Sequence, residues 1–256
     1  MIFRGKVFSS IFEMETNLTV VIPNNSKDIS KCKVSYLLHG LCGSSGDWLD
    51  YTQLPIFSEE YNIIFIMPDA SRSFYTDMKY GLKYFTYVNE ELPTLCKNIF
   101  NINTSRENTS IIGNSMGGYG ALKSALTFPE KYGVCCSFSP ACLFLKEGLD
   151  FQRNNPEKVR EFFGERIVND FESIFGEELL WNSSYEILDL MNKINDFEEK
   201  PKIYISCGLS DGLIKDCNRL ANEMKSLNFD FFYDEFDGNH DWYFFNESLK
   251  RSMSII

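Results

Sequence analysis

Short apolar runs recur along the chain, and the segments between them have a helix-like spacing of apolar positions. Ile63–Met67 is apolar at every position, which is typical of a central strand covered on both faces. The pattern predicts strands over Lys6–Glu13, Leu18–Ile22, Lys33–Leu38, Ile63–Met67, Thr109–Ile112, Val134–Phe138, Lys202–Cys207 and Phe229–Phe236. Strands alternate with helical patterns from residue 33 onward, which predicts an α/β protein with a mostly parallel, twisted sheet and helices on both faces.

The intervening segments predict helices over Trp48–Glu60, Tyr84–Phe100, Met116–Thr127, Asp211–Leu227 and Trp242–Ile256. Pro55 is expected to interrupt the first helix, and Pro93 to kink or restart the second. The chain has 256 residues, 44% of them apolar, which is enough for one large core. We therefore predict a single domain over residues 1–256.

The alternation of strands and helices breaks between about residues 141 and 199. This segment contains short helical patterns at Pro156–Phe163 and Tyr185–Ile194. Ligands of open α/β sheets bind at the carboxyl ends of the strands. We predict that the segment is a helical insertion that forms a lid over this edge, and a plain second layer of helices is the alternative.

The chain is acidic, with 36 Asp and Glu against 25 Lys and Arg, a net charge of −11 and a pI near 4.8. This charge disfavours nucleic acid and anionic membranes as partners, because their phosphates would be repelled. The first residues lack a signal-peptide pattern and no stretch has the length of a transmembrane helix, so a cytoplasmic protein is expected. The eight Cys form no spaced C-x-x-C pair and are expected to be reduced. The sequence leaves homo-oligomerisation open.

A strand, a tight turn and a helix are predicted to meet at Gly113-Asn114-Ser115-Met116-Gly117. This context favours a nucleophile elbow, although the bare G-x-S-x-G pattern is weak evidence. The serine of such an elbow has a strained backbone that only small neighbours tolerate, and Gly113 and Gly117 provide that room. The turn places Ser115 at a helix N-terminus, where backbone N–H groups favour negative charge. Ser115 is therefore the predicted nucleophile.

A serine nucleophile needs a base that accepts its proton and a third group that orients the base. The order nucleophile, acid, histidine along α/β-hydrolase chains favours His240, which follows the last predicted strand, over His39. Asp211 lies on the loop after the penultimate strand and is the predicted acid. Three other carboxylates rank lower: Asp216, Asp237 and Asp241.

Two backbone N–H groups should stabilise the oxyanion that develops during acyl transfer. Met116 follows the nucleophile and Leu41 lies in the loop after the strand Lys33–Leu38, so their amides are the predicted donors. His39 then becomes a structural anchor for that loop. The two distant His, with no H-E-x-x-H motif and no G-x-x-x-x-G-K phosphate loop, predict neither a metal nor a cofactor.

Six motifs stand in order along the chain: His39-Gly40-Leu41-x-Gly43 with Trp48, Arg72-Ser73-Phe74-Tyr75-Thr76-Asp77, Glu91-Leu92-Pro93, Gly113-x-Ser115-Met116-Gly117-Gly118-Tyr119-Gly120-Ala121, Cys207-Gly208-x-x-Asp211 and Gly238-x-His240-Asp241-Trp242. Together they resemble the esterase D superfamily, and most of all its bacterial tributyrin-esterase-like members. The resemblance covers nearly the whole chain and is weakest at residues 141–199.

The resemblance implies an α/β-hydrolase fold and ester hydrolysis by a triad of Ser115, His240 and Asp211. The superfamily includes S-formylglutathione hydrolases, feruloyl and acetylxylan esterases, and mycolyltransferases. The chain departs from the S-formylglutathione hydrolase branch in Leu38-His39-Gly40 and in its short loop Ser71–Tyr75.

The predicted protein is a serine carboxylesterase that hydrolyses small-molecule, short-chain acyl esters through an acyl-enzyme. The alternatives are a feruloyl- or acetylxylan-type esterase acting on acylated oligosaccharides, an S-formylglutathione hydrolase-like thioesterase, and a non-catalytic binding module. Trp48, Tyr75 and Trp181 are predicted to line the acyl or alcohol pocket, with ordinary core packing as the alternative for each.

Overall fold

The computed structural model describes residues 1–256, and its centre is one eight-stranded sheet in the order β1-β2-β4-β3-β5-β6-β7-β8. The strands are β1 (Ile2–Ser9), β2 (Met14–Val21), β3 (Lys33–Leu38), β4 (Ile63–Pro68), β5 (Thr109–Asn114), β6 (Val134–Phe138), β7 (Lys202–Gly208) and β8 (Phe231–Phe236). The pairs β1–β2 and β2–β4 are antiparallel, and all other neighbouring strands are parallel. The predicted mostly parallel sheet is confirmed.

Eleven helices connect the strands: α1 (Asp47–Tyr51), α2 (Leu54–Tyr61), α3 (Tyr84–Thr86), α4 (Leu92–Phe100), α5 (Met116–Thr127), α6 (Leu145–Asn154), α7 (Pro156–Phe163), α8 (Glu165–Phe175), α9 (Ile187–Ile194), α10 (Ile214–Lys225) and α11 (Trp242–Ser252). Helices α5 and α7 have the predicted bounds. None of the eleven combines the length and hydropathy that spanning a bilayer requires.

The sheet buries apolar side chains on both faces. Cys135 and Cys136 are neighbours on β6 and belong to different core clusters, because successive side chains of a strand point to opposite faces. The face of Cys135 carries the larger core, 45 buried residues against 16 on the face where α1, α2 and α11 pack. All eight thiols are free.

The breaks expected near the two prolines are present, and each proline begins a new helix. Pro55 lies in the first turn of α2 and Pro93 in the first turn of α4, where a helix leaves its N–H groups unpaired in any case. A π-turn at Tyr87–Glu91 separates α3 from α4. Helix α10 begins at Ile214, later than expected, because the residues before it form a loop around Asp211.

Four helices, α6 to α9, lie between β6 and β7. Helix α8 is anchored to the loop that follows β4, since the N–H groups of Lys79 and Tyr80 donate to the carbonyls of Ile174 and Ser173, each at 2.9 Å. These bonds satisfy carbonyls that the end of a helix leaves unpaired. The segment therefore packs on loops at the carboxyl ends of the strands.

Helix α5 packs close to the sheet through its glycines. A Cβ atom built on Gly117 would lie 2.2 Å from the carbonyl oxygen of Leu38, and one on Gly120 would lie 2.5 Å from the ring of Tyr75. Gly148 in α6 is different, because a Cβ atom there would meet no atom within 4 Å. A side chain is therefore excluded from the contact face of α5 and tolerated in α6.

Lys123 on α5 is buried beneath the loop after β4. Its Nζ donates to the carbonyl of Tyr75 at 3.2 Å and to Oγ1 of Thr76 at 2.9 Å, and it lies 4.4 Å from the centre of the Phe85 ring. Burial lowers the pKa of Lys123 to about 7, although the charge of Asp77 acts in the opposite direction.

Replacing Gly117 by Ala is expected to lower the free energy of unfolding by about 1–3 kcal/mol, because the new methyl group overlaps the backbone of β3. Gly148→Ala is the matched control, since it adds the same methyl group in open space. It is expected to raise the free energy of unfolding by about 0.5–1 kcal/mol. Urea unfolding measures both values, and equal stability of Gly117→Ala and wild type would contradict the close packing.

Lys123→Met is expected to change how stability depends on pH. Above pH 7 and below the ordinary lysine pKa, the unfolded chain binds a proton at Lys123 that the folded protein has lost, so this lysine makes stability rise by about 1.4 kcal/mol per pH unit. Below pH 7 both states bind the proton and its contribution is constant. The stability of wild type relative to Lys123→Met should therefore increase as the pH rises from about 7 to about 9.

Urea unfolding of both proteins at several pH values measures this difference. Lys131→Met is the control, because Lys131 also packs over an aromatic ring, 4.1 Å from the centre of Phe128, and donates to the carbonyl of Asn89, but it is only half-buried. It should show a smaller pH dependence. A pH-independent difference for Lys123→Met would refute the argument.

Candidate active site

Ser115 stands out within a buried stretch. Every residue from Thr109 to Leu126 is buried except Ser115, which is half-buried. Its backbone has φ 55° and ψ −119°, a conformation that is strained for a residue with a side chain. A Cβ atom on Gly113 would lie 2.0 Å from the carbonyl oxygen of Gly117, so the turn has no room for a side chain there. In this strand, turn and helix, Ser115 is therefore the residue that solvent reaches.

Hydrogen bonds hold the strained turn on both sides. The N–H group of Ser115 donates to the carbonyl of Phe138 at 2.9 Å, and the carbonyl of Ser115 accepts from the N–H groups of Tyr119 at 3.2 Å and Ala141 at 3.1 Å. The turn is therefore fixed to β6 and to the first residues after it.

The carboxylate of Asp211 and the imidazole of His240 are hydrogen-bonded, with 2.8 Å between Oδ2 and Nδ1. The Asp211 side chain is buried, and Oδ1 also accepts from the N–H group of Leu213 at 2.9 Å. Burial acts to raise the pKa of Asp211, but hydrogen bonds from His240, Leu213 and Ser139 outweigh it, so the pKa lies below its ordinary value. Asp211 is therefore ionised near neutral pH.

Backbone bonds between two loops bring these side chains together. The loop after β7 donates from Leu209 to the carbonyl of Phe236 and from Ser210 to the carbonyl of Gly238, both at 3.0 Å. A Cβ atom on Gly208 would lie 2.4 Å from the Gly238 oxygen, so the loops meet only because that residue is glycine.

The contact with Asp211 selects the tautomer of His240. Nδ1 donates to the carboxylate, which leaves Nε2 of a neutral ring free to accept a proton. The imidazole is 38% exposed, and its ring is nearly perpendicular to that of Phe245, with ring centres 5.2 Å apart. Ser115 Oγ donates no hydrogen bond to His240, and in serine hydrolases this bond commonly tightens only as the reaction begins.

The other carboxylates that the sequence offered have different positions. Asp241 is the N-cap of α11, and its side chain accepts from the N–H group of Phe244 at 3.0 Å. Asp237 is exposed, and Asp216 lies on α10. Asp211 alone among them is bonded to the imidazole of His240.

The loop after β3 lies against the serine. A Cβ atom on Gly40 would be 3.6 Å from Cβ of Ser115. The N–H group of Leu41 donates to no protein acceptor, and Met116, the first residue of α5, has no acceptor within its helix. Both predicted oxyanion donors therefore have free N–H groups.

His39 holds this loop in place. Its Nε2 accepts from the N–H group of Ala70 at 2.9 Å, so Nδ1 carries the proton and donates to the carbonyl of Gly40 at 2.7 Å. Burial lowers the pKa of His39, which favours the neutral ring that this pairing requires. Tyr75 adds a third bond, because its hydroxyl donates to the His39 carbonyl at 3.0 Å.

An apolar cavity of about 650 Å³ begins beside the elbow. Its wall includes Ala141, whose N–H group is bonded to Ser115, and Leu213, whose N–H group is bonded to Asp211. Most of the remaining wall is aliphatic or aromatic and comes largely from the helices between β6 and β7; it includes Leu143, Leu145, Phe151, Val159, Phe163 and Phe171. The cavity wall therefore reaches the elbow through Ala141 and the loop of Asp211 through Leu213.

The expectation that Trp48 and Tyr75 line this pocket is wrong. Trp48 is buried in the smaller core, where its Nε1 donates to the carbonyl of Leu38 at 3.1 Å. Tyr75 is fully buried between Gly120 and the His39 carbonyl. Each ring instead supports the backbone next to the site: Trp48 bonds to the last residue of β3, and Tyr75 bonds to the loop after it.

Trp181 borders a different cavity, an outer cleft of about 570 Å³ that also includes Tyr80, Phe175 and Tyr185. Its ring lies under Lys146 Nζ at 4.5 Å. It does not line the apolar cavity beside Ser115.

The cavity wall contains five phenylalanines that the sequence did not predict as pocket residues: Phe74, Phe144, Phe151, Phe163 and Phe171. Phe74 lies beside Tyr75 in the motif Arg72–Asp77, so the motif marks the loop but not which of the two rings faces the cavity. Phe171 belongs to α8, for which only the general helical character of residues 141–199 was a signal. No group of three or more His, Cys, Asp or Glu side chains is arranged to hold a metal ion.

Comparison with known proteins identifies the family of this chain. The family model described as "Putative esterase" matches residues 9–254. The chain is similar to an acetyl esterase of Caldicellulosiruptor saccharolyticus, with 30% identity over 98% of this chain and 96% of the relative.

Two solved structures from Staphylococcus aureus are also similar. The fluorophosphonate-binding serine hydrolase FphF, substrate bound, has a TM-score of 0.84 and 26% identity over 100% of this chain and 97% of its own. The S-formylglutathione hydrolase FrmB has a TM-score of 0.82 and 25% identity over 100% and 98%. The chain belongs to this esterase family, and it is a serine carboxylic ester hydrolase with the α/β-hydrolase fold.

Proposed function

We propose that the chain hydrolyses short-chain acyl esters through Ser115, His240 and Asp211. The observation that carries the proposal is the hydrogen bond between buried Asp211 and Nδ1 of His240. It fixes the tautomer in which Nε2 accepts a proton, and the strained turn presents Ser115 at the same edge of the sheet.

In the first step Ser115 Oγ attacks the ester carbonyl carbon while its proton passes to Nε2 of His240. The amides of Leu41 and Met116 stabilise the oxyanion. The carbon–oxygen bond to the alcohol then breaks, and His240 returns the proton to the leaving oxygen. Asp211 stays ionised and stabilises the imidazolium. The product of this step is an acyl group on Ser115.

In the second step water replaces the alcohol. His240 accepts a proton from the water as it attacks the acyl-enzyme, and the proton then returns to Ser115 Oγ as the carboxylic acid leaves. The reaction needs no cofactor.

The acyl group would occupy the apolar cavity, and residues 141–199 would act as its cap. The position of α6, α7 and α8 in the cavity wall supports this role. The acetyl esterase relative supports esters of short acids. Hydrolysis of S-formylglutathione is the second candidate, supported by the likeness to FrmB. Comparing kcat/KM for S-formylglutathione with kcat/KM for p-nitrophenyl acetate and butyrate decides between them.

Ser115→Ala is expected to lower kcat for p-nitrophenyl acetate by at least about 10⁴-fold, because no other group forms the acyl-enzyme. The melting temperature should stay close to that of wild type. Ser226→Ala is the control, since Ser226 is exposed at the end of α10. A fluorophosphonate probe should label wild type and Ser226→Ala but not Ser115→Ala. Wild-type turnover by Ser115→Ala would rule out the assignment.

Asp211→Asn is expected to lower kcat by about 10³–10⁴-fold, because an amide no longer stabilises the imidazolium or fixes the required tautomer. Asp241→Asn is the matched control: Asn caps a helix as well as Asp does, so α11 and the rate should be preserved. Steady-state kinetics on p-nitrophenyl acetate compare the two variants. Equal losses in both would show that Asp211 has no special role.

A further inference from the structure

Two cavities border helix α8. The apolar cavity beside Ser115 is bordered by Phe171 of α8, and the outer cleft is bordered by Phe175, one turn later on the same helix. The outer cleft lacks the residues next to Ser115 and is not in contact with the elbow. One turn of α8 thus spans from the wall of the apolar cavity to the wall of a second cavity of similar volume.

An aromatic ladder forms the partition between them. The ring of Phe171 packs edge-on against Phe74, with ring centres 5.2 Å apart, and against Phe175 at 5.7 Å. Phe175 in turn contacts Tyr185 at 5.3 Å. Phe171 and Phe175 are both almost completely buried. The Phe171 ring is therefore the part of this ladder that faces the apolar cavity and closes it toward the outer cleft.

The partition is held in place by polar contacts on either side of it. Asp170 accepts from Nε of Arg72 at 2.7 Å, and Nη2 of Arg72 lies 2.6 Å from the same oxygen. Arg72 belongs to the loop that carries Phe74, and Asp170 precedes Phe171 on α8. One ion pair therefore links the loop and the helix that carry the two contacting rings. The C-terminal end of α8 is bonded to Lys79 and Tyr80. A wall fixed in this way does not yield easily to extra methylene groups.

We propose that Phe171 sets the upper limit of acyl-chain length, by closing the acyl cavity against the outer cleft. The proposal rests on the proposed function, because it takes the apolar cavity as the acyl site. Linear alkanoyl esters are the substrates that it concerns. In wild type a long chain meets the Phe171 ring, and removal of the ring joins the two cavities so that the chain continues toward Phe175 and Tyr185.

The test is a chain-length profile of Phe171→Ala with p-nitrophenyl esters from acetate to decanoate. The ratio of kcat/KM for decanoate to kcat/KM for butyrate is expected to rise about tenfold or more above the wild-type ratio, since each accommodated methylene contributes to transition-state binding. Phe175→Ala is the matched control, because it removes the same side chain from the same helix but on the outer-cleft side. Its ratio should stay within about twofold of wild type.

Phe171→Leu is a second variant that keeps an apolar side chain at this position and is less disruptive to folding. It should shift the decanoate-to-butyrate ratio in the same direction as Phe171→Ala, but by less. Thermal melting confirms that each variant is folded. An unchanged ratio in folded Phe171→Ala and Phe171→Leu overturns the proposal, and so does an equal shift in Phe175→Ala. Ester hydrolysis that depends on Ser115 would survive either result. Wild type that hydrolyses no ester would instead refute the proposed function.

Discussion

The close approach of α5 to β3 and β5 is the constraint on which the rest of the site depends. Ser115 can keep a backbone conformation that disfavours side chains only because Gly113 and Gly117 allow the strand and helix to touch. The same contact directs the N-terminus of α5, with its unpaired N–H groups, toward the space beside the serine. Gly120 continues the contact along the helix and makes room for the Tyr75 ring. One glycine-lined helix face therefore fixes Ser115, the free N–H group of Met116 and the ring of Tyr75 that supports the loop of Leu41.

The remaining polar groups reach the serine because the central strands are parallel. Parallel strands end at one edge of the sheet, so loops that are distant in sequence meet there. Contact between the loops after β7 and β8 then depends on Gly208, and it places Asp211 against His240. A buried carboxylate is unfavourable unless it is hydrogen-bonded, and the imidazole and the Leu213 amide supply those bonds. The pairing that orients the histidine is thus also what allows Asp211 to be buried.

The sequence could predict the parts of this arrangement that leave a local pattern. Helix α5 and strand β6 were predicted with their observed bounds, because a small-residue helix after a glycine turn and a short apolar run before Ser139-Pro140 are each visible locally in the sequence. The position of a ring within its loop leaves no such trace. Trp48 and Tyr75 are both motif residues, yet their neighbours across the fold bury them. Phe171 could not be identified because its role depends on a cavity formed by distant segments.

Lys123 shows most clearly what the sequence does not predict. A lysine in a helical pattern predicts a solvent-exposed side chain, but Lys123 is buried. Its burial is unfavourable for a charged group, as the lowered pKa of about 7 indicates. The buried lysine stabilises the turn that packs on it, in which Phe74 and Tyr75 have φ of 48° and 49°. Two successive side-chain-bearing residues hold this left-handed conformation only if surrounding contacts impose it, and the bond from Lys123 to the Tyr75 carbonyl is one of them. Phe74 then lines the apolar cavity and Tyr75 supports the loop of Leu41, so one buried lysine stabilises both the cavity wall and that loop.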